Sequence, residues 1–79
     1  MAIIKPTTKL MYGRFMAGIT VIVDGKISDV FWGTYYDTEA IAVKHAEESA
    51  LEVYQSTILD GFEAVLEPYE DQHHPFTAN

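Results

Sequence analysis

Residues 38–57, TEAIAVKHAEESALEVYQST, hold the long helical period of the chain. At about 100° per residue, Ala42, Val43, Ala46, Ala50, Val53 and Tyr54 fall on one stripe. Lys44, His45, Glu48, Glu52 and Gln55 fall opposite, and Ile41 points away from the stripe. Three alanines in the stripe let the helix axis approach a sheet closely, with Val43 and Tyr54 filling the ends. Asp37 or Thr38 supplies the N-cap, and Glu39 suits the positive end of the helix dipole. Ile58-Leu59-Asp60-Gly61 closes the helix, because Gly61 can take the left-handed conformation that a helix stop needs.

Upstream, residues 13–36 read as a β-hairpin. RFMAGITVIV and DVFWGTYY are rich in β-branched and aromatic residues. Asp24-Gly25 between them is a strong signal for a type I′ turn, which needs positive φ at both central residues. A two-residue turn sets the register: Val23 opposite Lys26, Ile22 opposite Ile27, Val21 opposite Ser28, Ile19 opposite Val30, Ala17 opposite Trp32. One face then carries Phe15, Ala17, Ile19, Val21, Val23, Val30 and Trp32. The other carries Met16, Ile22, Ile27, Phe31 and Tyr35, interrupted by Gly18, Thr20, Asp29 and Gly33. A solvated sheet face normally alternates with polar residues, so this second apolar face is expected to meet either residues 1–12 and the C-terminal tail or another chain. Gly18 and Gly33, isolated in strands, point to a bulge or a close backbone approach.

Downstream, GFEAVLEP alternates Phe62, Ala64 and Leu66 against Glu63, Val65 and Glu67, a half-buried strand closed by Pro68. Residues 1–12 read as an N-terminal arm, with Pro6 removing a donor and Ile3 and Ile4 as anchors on the core, a short added strand being the alternative. Residues 69–79 read as a flexible tail. The expected architecture is an α+β, two-layer ββαβ core over 13–68, with one helix packed on a small, mostly antiparallel sheet. The last strand should return beside the first hairpin strand and parallel to it.

At 79 residues the chain is one domain, with too small a core to enclose a deep cavity. Apolar residues make up 48 % and charged residues 22 %, a globular balance too apolar for disorder. There is no cysteine, which excludes disulfides and thiolate metal sites. The N-terminal residues show no signal-peptide pattern, and no apolar run reaches the length of a membrane span. These readings set an expectation of a cytoplasmic location, free of membrane. The net charge of −7 is unevenly spread. Residues 1–36 hold Lys5, Lys9, Arg14 and Lys26 against Asp24 and Asp29. Residues 37–79 hold Lys44 against ten acids. Such asymmetry concerns partners and steering rather than fold.

The residues that could carry chemistry do not assemble into a motif. His73-His74, with His45, Glu70 and Asp71, is a candidate metal set, but adjacent histidines on a tail do not converge on one ion, and no metal is expected. The carboxylates lie on solvated faces rather than paired in a cleft with separated pKa values. Neither Ser28 nor Ser49 sits in a nucleophile turn, and the glycines form no phosphate-binding loop. No enzyme and no cofactor is expected. Lys5, Lys9 and Arg14 lie near Phe15, Trp32, Tyr35 and Tyr36, a pattern that can stack single-stranded bases. With five basic residues in the whole chain, phosphate neutralisation is limited.

The run DTEAIAVKHAEESALEVYQSTILDGFEAVLEP resembles the second half of small phage-encoded inhibitors of host machinery. In pattern it is similar to the podovirus inhibitor of bacterial RNA polymerase. The matching residues are Thr38, Glu39 and Ala40 at the helix start, then Gly61, Phe62, Glu63 and Pro68. Small acidic anti-CRISPR proteins share the same size, charge and architecture. The resemblance covers about half the chain. It implies a compact, non-enzymatic blocker of a larger host protein, acting in the host cytoplasm. The family's basic or polar strand contacts have no counterpart here, so no specific target follows.

The expected function is therefore binding to a larger, nucleic-acid-handling host protein through a basic surface on that partner. Aromatic residues anchor interfaces and acidic groups steer association. The candidate contact residues are Phe31, Tyr35 and Tyr36 on the hairpin, with Glu48, Glu52, Glu63 and Glu67 on the acidic side. The alternative is a homodimer or larger assembly through the apolar hairpin face, and a third reading is single-stranded nucleic-acid binding.

Overall fold

The structure, a computed structural model, describes residues 1–70. Three strands come first: β1 (Ala2–Met11), β2 (Arg14–Val23) and β3 (Lys26–Tyr36). Helix α1 (Glu39–Leu59) and the short strand β4 (Ala64–Leu66) follow. The helix packs on one face of a four-stranded sheet ordered β3-β2-β1-β4, antiparallel except for the β1–β4 pair. This is the expected α+β, two-layer arrangement, with one strand more than the ββαβ reading.

The added strand is the segment read as an arm. β1 is a full ten-residue strand paired along its length with β2, from Ala2 opposite Val23 to Met11 opposite Arg14. Its turn is Tyr12-Gly13, both at positive φ (54° and 76°), the same solution that Asp24-Gly25 uses (53° and 79°). Pro6 is tolerated because of where β4 stops. The Ile4 carbonyl accepts the Glu67 N–H at 2.9 Å on the β4 side. Pro6, two residues on, turns its missing N–H toward that same edge, beyond the last β4 residue. The final strand is parallel, as expected, but its neighbour is β1 rather than the first hairpin strand, since β1 takes that place.

The hairpin register holds for Val23–Lys26 and Ile22–Ile27 and then shifts twice. Ser28 is an extra residue in β3, so Val21 faces Asp29, Ile19 faces Phe31 and Gly18 faces Trp32. A second extra residue at Gly33/Thr34 brings Tyr35 opposite Met16 and Tyr36 opposite Phe15. Each bulge adds one residue to one strand and reverses the facing of everything beyond it. The first therefore moves Phe31 to the helix side and sends Val30 and Trp32 to the open face, the reverse of the unbulged reading. The second restores Tyr35 to the open face.

The core is thin and lies between α1, β1 and β2. Ile4 and Ile19 pack on Ala50, while Ala17 packs on Ala42 and Ala46. All three alanines of the stripe are buried, with Val53, Tyr54, Phe15 and Tyr36 flanking them. The helix is capped by Thr38, whose hydroxyl accepts the Ile41 N–H at 3.3 Å. It ends in a Schellman arrangement. The Phe62 N–H reaches the Thr57 carbonyl, the Gly61 N–H reaches that of Ile58, and Gly61 sits at φ 91°. The start of the segment read as a tail is tied down. The Tyr69 hydroxyl lies 2.8 Å from Thr8 Oγ1 and donates to Glu39 at 3.2 Å, while Glu70 sits 3.5 Å from Lys5 Nζ. The rest of that expectation, residues 71–79 with His73 and His74, lies outside the described residues.

Candidate interaction surfaces

The side of α1 turned away from the sheet is the first surface. A helix that buries one stripe usually shows polar residues on the other. Here Ile41, Leu51, Ile58 and Leu59 are exposed, Leu59 to 86 %. Heptad spacing aligns them along the axis with polar neighbours: Lys44, Leu51 and Ile58 on one line, Ile41, Glu48 and Gln55 beside it, then Glu52 and Leu59. Glu48 and Glu52 are exposed, and His45 Nδ1 stands 3.9 Å from Glu48, an ion pair when the imidazole is protonated. Four partly exposed apolar side chains thus alternate with two carboxylates on a rigid element.

The second surface is the helix side of β3. The helix lies over β1 and β2 and leaves this edge strand half uncovered. Tyr36 stacks flat on His45, with centroids 4.4 Å apart and planes within 6°. Phe31, exposed, stands on the same side. A hollow of about 310 Å³ separates them, also bordered by Thr34 and Ser49.

The open face of the sheet is the third. The registers place its side chains in rows across the strands: Val65, Ile3, Ile22, Ile27; then Lys5, Thr20, Val30; then Thr7, Gly18, Trp32; then Lys9, Met16, Tyr35. Gly18 leaves the centre of the face without a side chain, and the Trp32 ring leans into that space. Lys9 Nζ lies 5.4 Å from the Trp32 ring centre, and the Arg14 guanidinium 5.9 Å from that of Tyr35, both within cation–π range. Arg14 also reaches Asp37 at 3.2 Å, and the Tyr35 hydroxyl donates to Met11 Sδ at 3.5 Å.

The expected contact residues therefore do not form one site. Glu48 and Glu52 share the outer helix face, Phe31 and Tyr36 share the helix side of β3, and Tyr35 is on the opposite face of the sheet. Glu63 and Glu67 flank β4, at the other edge of the sheet from β3. Their backbones close the β1–β4 pairing, since the Glu63 carbonyl accepts the Ala2 N–H at 3.2 Å. Two groups went unread from sequence. Leu51, Ile58 and Leu59 were detectable as apolar positions off the buried stripe. Lys5 and Thr20 were read separately, Lys5 beside the aromatics and Thr20 on the second hairpin face, but Thr7 and the grouping of the three needed β1 to be recognised as a strand.

Among the described residues, no group of three or more His, Asp or Glu side chains is placed to hold a metal ion. No described helix is long and apolar enough to cross a membrane. No family model, curated protein or solved structure matches the chain.

Proposed function

We propose that this chain is a small non-enzymatic binding protein that covers a basic surface on a larger, nucleic-acid-handling host protein and so blocks or modulates it. In this it would act as phage-type inhibitors do, in the cytoplasm of the host. The observation that supports the reading is the two-sided helix. Its inner stripe makes the core, and its outer face still presents Ile41, Leu51, Ile58 and Leu59 among Glu48 and Glu52. Apolar anchors exclude water at the centre of an interface while rim charges set on-rate and orientation. A standard interface takes about 800 Å² from each partner, an area within reach of a domain of this size. The net charge of −7 favours a basic target and disfavours nucleic acid itself.

The test uses exposed positions, so that folding is kept. Immobilised wild type, Leu51→Glu and the double variant Glu48→Lys/Glu52→Lys are challenged with bacterial host lysate, after circular dichroism confirms equal helix content. The expected result is a partner held by the wild type, released by salt or by nucleic acid, and lost from both variants. Equal capture by all three, or no captured partner, would sink the reading.

A second reading is favoured by one observation, the apolar row Val65, Ile3, Ile22 and Ile27 spanning all four strands of the open face. Two copies could meet there. Sedimentation of wild type and Ile27→Glu decides it: a dimer dissolved by that one change supports assembly, and a wild-type monomer at high concentration removes it.

A further inference from the structure

The centre of the open sheet face is a trough with unlike walls. Thr7 and Thr20 form its floor, 3 % and 6 % exposed, and their hydroxyls have no hydrogen-bond partner among the described residues. Thr8, one residue on but turned to the helix side, does have one in Tyr69. A buried polar group without a partner calls for an explanation, since such groups are nearly always satisfied. On the β1 side stand Lys5 and Lys9, flanking Thr7 at two-residue spacing. On the β3 side stand Trp32, Val30 and Ile27, with Ile22 closing one end. Gly18 keeps the middle open. The trough measures about 450 Å³, inside the range of about 300–1,000 Å³ typical of small-molecule sites.

Charge is segregated on this face. Among the β1, β2 and β3 residues facing it, Lys5, Lys9 and Arg14 are cationic and none is acidic. They are three of the five basic residues in a chain of net charge −7. Arg14 is engaged by Asp37. Lys5 is met by the exposed carboxylate of Glu70 at 3.5 Å, which shows that this wall accepts a carboxylate, while Lys9 makes no ion pair among the described residues. We propose that the trough binds a small amphipathic carboxylate. Its headgroup sits at Thr7 between the Lys5 and Lys9 ammoniums and accepts from the threonine hydroxyls. Its apolar body lies along Trp32, Val30 and Ile27. A single-stranded nucleic acid fits less well, because successive phosphates each need a cation and the remainder of the chain repels a polyanion.

Trp32 is the single tryptophan and reports on the trough directly. Its emission is followed while decanoate, below its micelle concentration, or decanol is added to the full chain. The expected result is saturable binding of decanoate, about tenfold tighter than decanol. Thr7→Val and Thr20→Val, which remove only a hydroxyl, each weaken decanoate several-fold while melting no lower than the wild type, and Lys9→Met removes the preference over decanol. If the hydroxyls are merely buried, the valine variants melt higher and bind decanoate unchanged, which overturns the proposal. So does equal affinity for decanoate and decanol. A change in emission with a ten-nucleotide oligothymidylate at low salt, and none with decanoate, overturns it in favour of a nucleic-acid face.

Discussion

Gly18 is the residue on which the hairpin geometry turns, and Gly18→Ala tests it. A methyl group built there falls 2.5 Å from the Phe31 carbonyl oxygen and 2.6 Å from a Trp32 ring carbon. The ring can swing aside, but the carbonyl belongs to the paired neighbouring strand and moves only if the ladder moves. Overpacking of this kind costs about 1–3 kcal/mol. Against it stands the gain from stiffening the unfolded chain, about 0.4–1 kcal/mol where the native backbone suits alanine. The net loss is about 1–2 kcal/mol, and a domain of this size shifts by about 4–8 °C per kcal/mol. The melting temperature should therefore fall by roughly 5–15 °C. Gly33→Ala is the matched control, because the nearest atom to its added carbon is 3.5 Å away, an ordinary contact. It should melt within a few tenths of a kcal/mol of the wild type. Thermal and urea unfolding, read by circular dichroism and Trp32 emission, measure both. The urea midpoint should drop in Gly18→Ala with its slope unchanged, and the native emission should shift as the ring is displaced. If Gly18→Ala melts at or above the wild type, or together with Gly33→Ala, the close β2–β3 approach and the bulged register behind it are wrong.

Thr38→Ala removes the hydroxyl that accepts the Ile41 N–H and should cost about 1 kcal/mol, with Thr38→Asp restoring it; urea midpoints of the two variants check this. Ile4→Ala empties the one large, fully buried side chain among the described residues and should cost about 2–5 kcal/mol. That loss approaches the whole stability of a small domain, so far-ultraviolet circular dichroism at 25 °C should show a substantial unfolded fraction.

The helix and the second hairpin were legible because their signals are local. The alanine stripe, the Thr38 cap, the Gly61 stop and the Asp24-Gly25 turn each depend on a few neighbouring residues. The first hairpin was hidden by its turn. Tyr12 takes φ 54°, a conformation usually left to Gly, Asn or Asp, so Tyr12-Gly13 does not announce a type I′ turn. Pro6 then argued for an arm, although it is harmless where the β4 pairing has ended. The bulge at Ser28 was hidden for a different reason. Ser28 suits an unbulged strand equally well, so the first register shift gave no signal, whereas the isolated strand glycines did point to the close approach at Gly18 and to the bulge at Gly33/Thr34 without fixing which side chains each would turn over. Since facing reverses at each bulge, the assignment of Phe31, Val30 and Trp32 was inverted while Tyr35 came out right. For the candidate site, helical period placed Glu48 and Glu52 correctly. Glu63 and Glu67 were joined to them by charge alone, and charge does not report that β4 lies at the edge opposite β3.

The bulges also determine what kind of surface each face becomes. Without the shift at Ser28, Trp32 would point to the helix side of β3. Phe31 would stand on the open face among Lys5 and Lys9. With the shift, the larger and polar-edged ring lies over Gly18 under the Lys9 ammonium, while Phe31 joins Tyr36 and His45 beside the acidic helix. The ring–cation contacts of Lys9 with Trp32 and of Arg14 with Tyr35 then fall on the side of the sheet away from Glu48 and Glu52. Lys5, Lys9 and Arg14 thereby stand on the open face of the sheet, and Glu48 and Glu52 on the outer face of the helix. On the proposed reading, a basic partner would dock against Glu48 and Glu52 on the helix rather than against Lys5 and Lys9. A protein docked by α1 would leave the trough facing solvent, and a carboxylate bound there would neutralise the cationic side without touching the docked one.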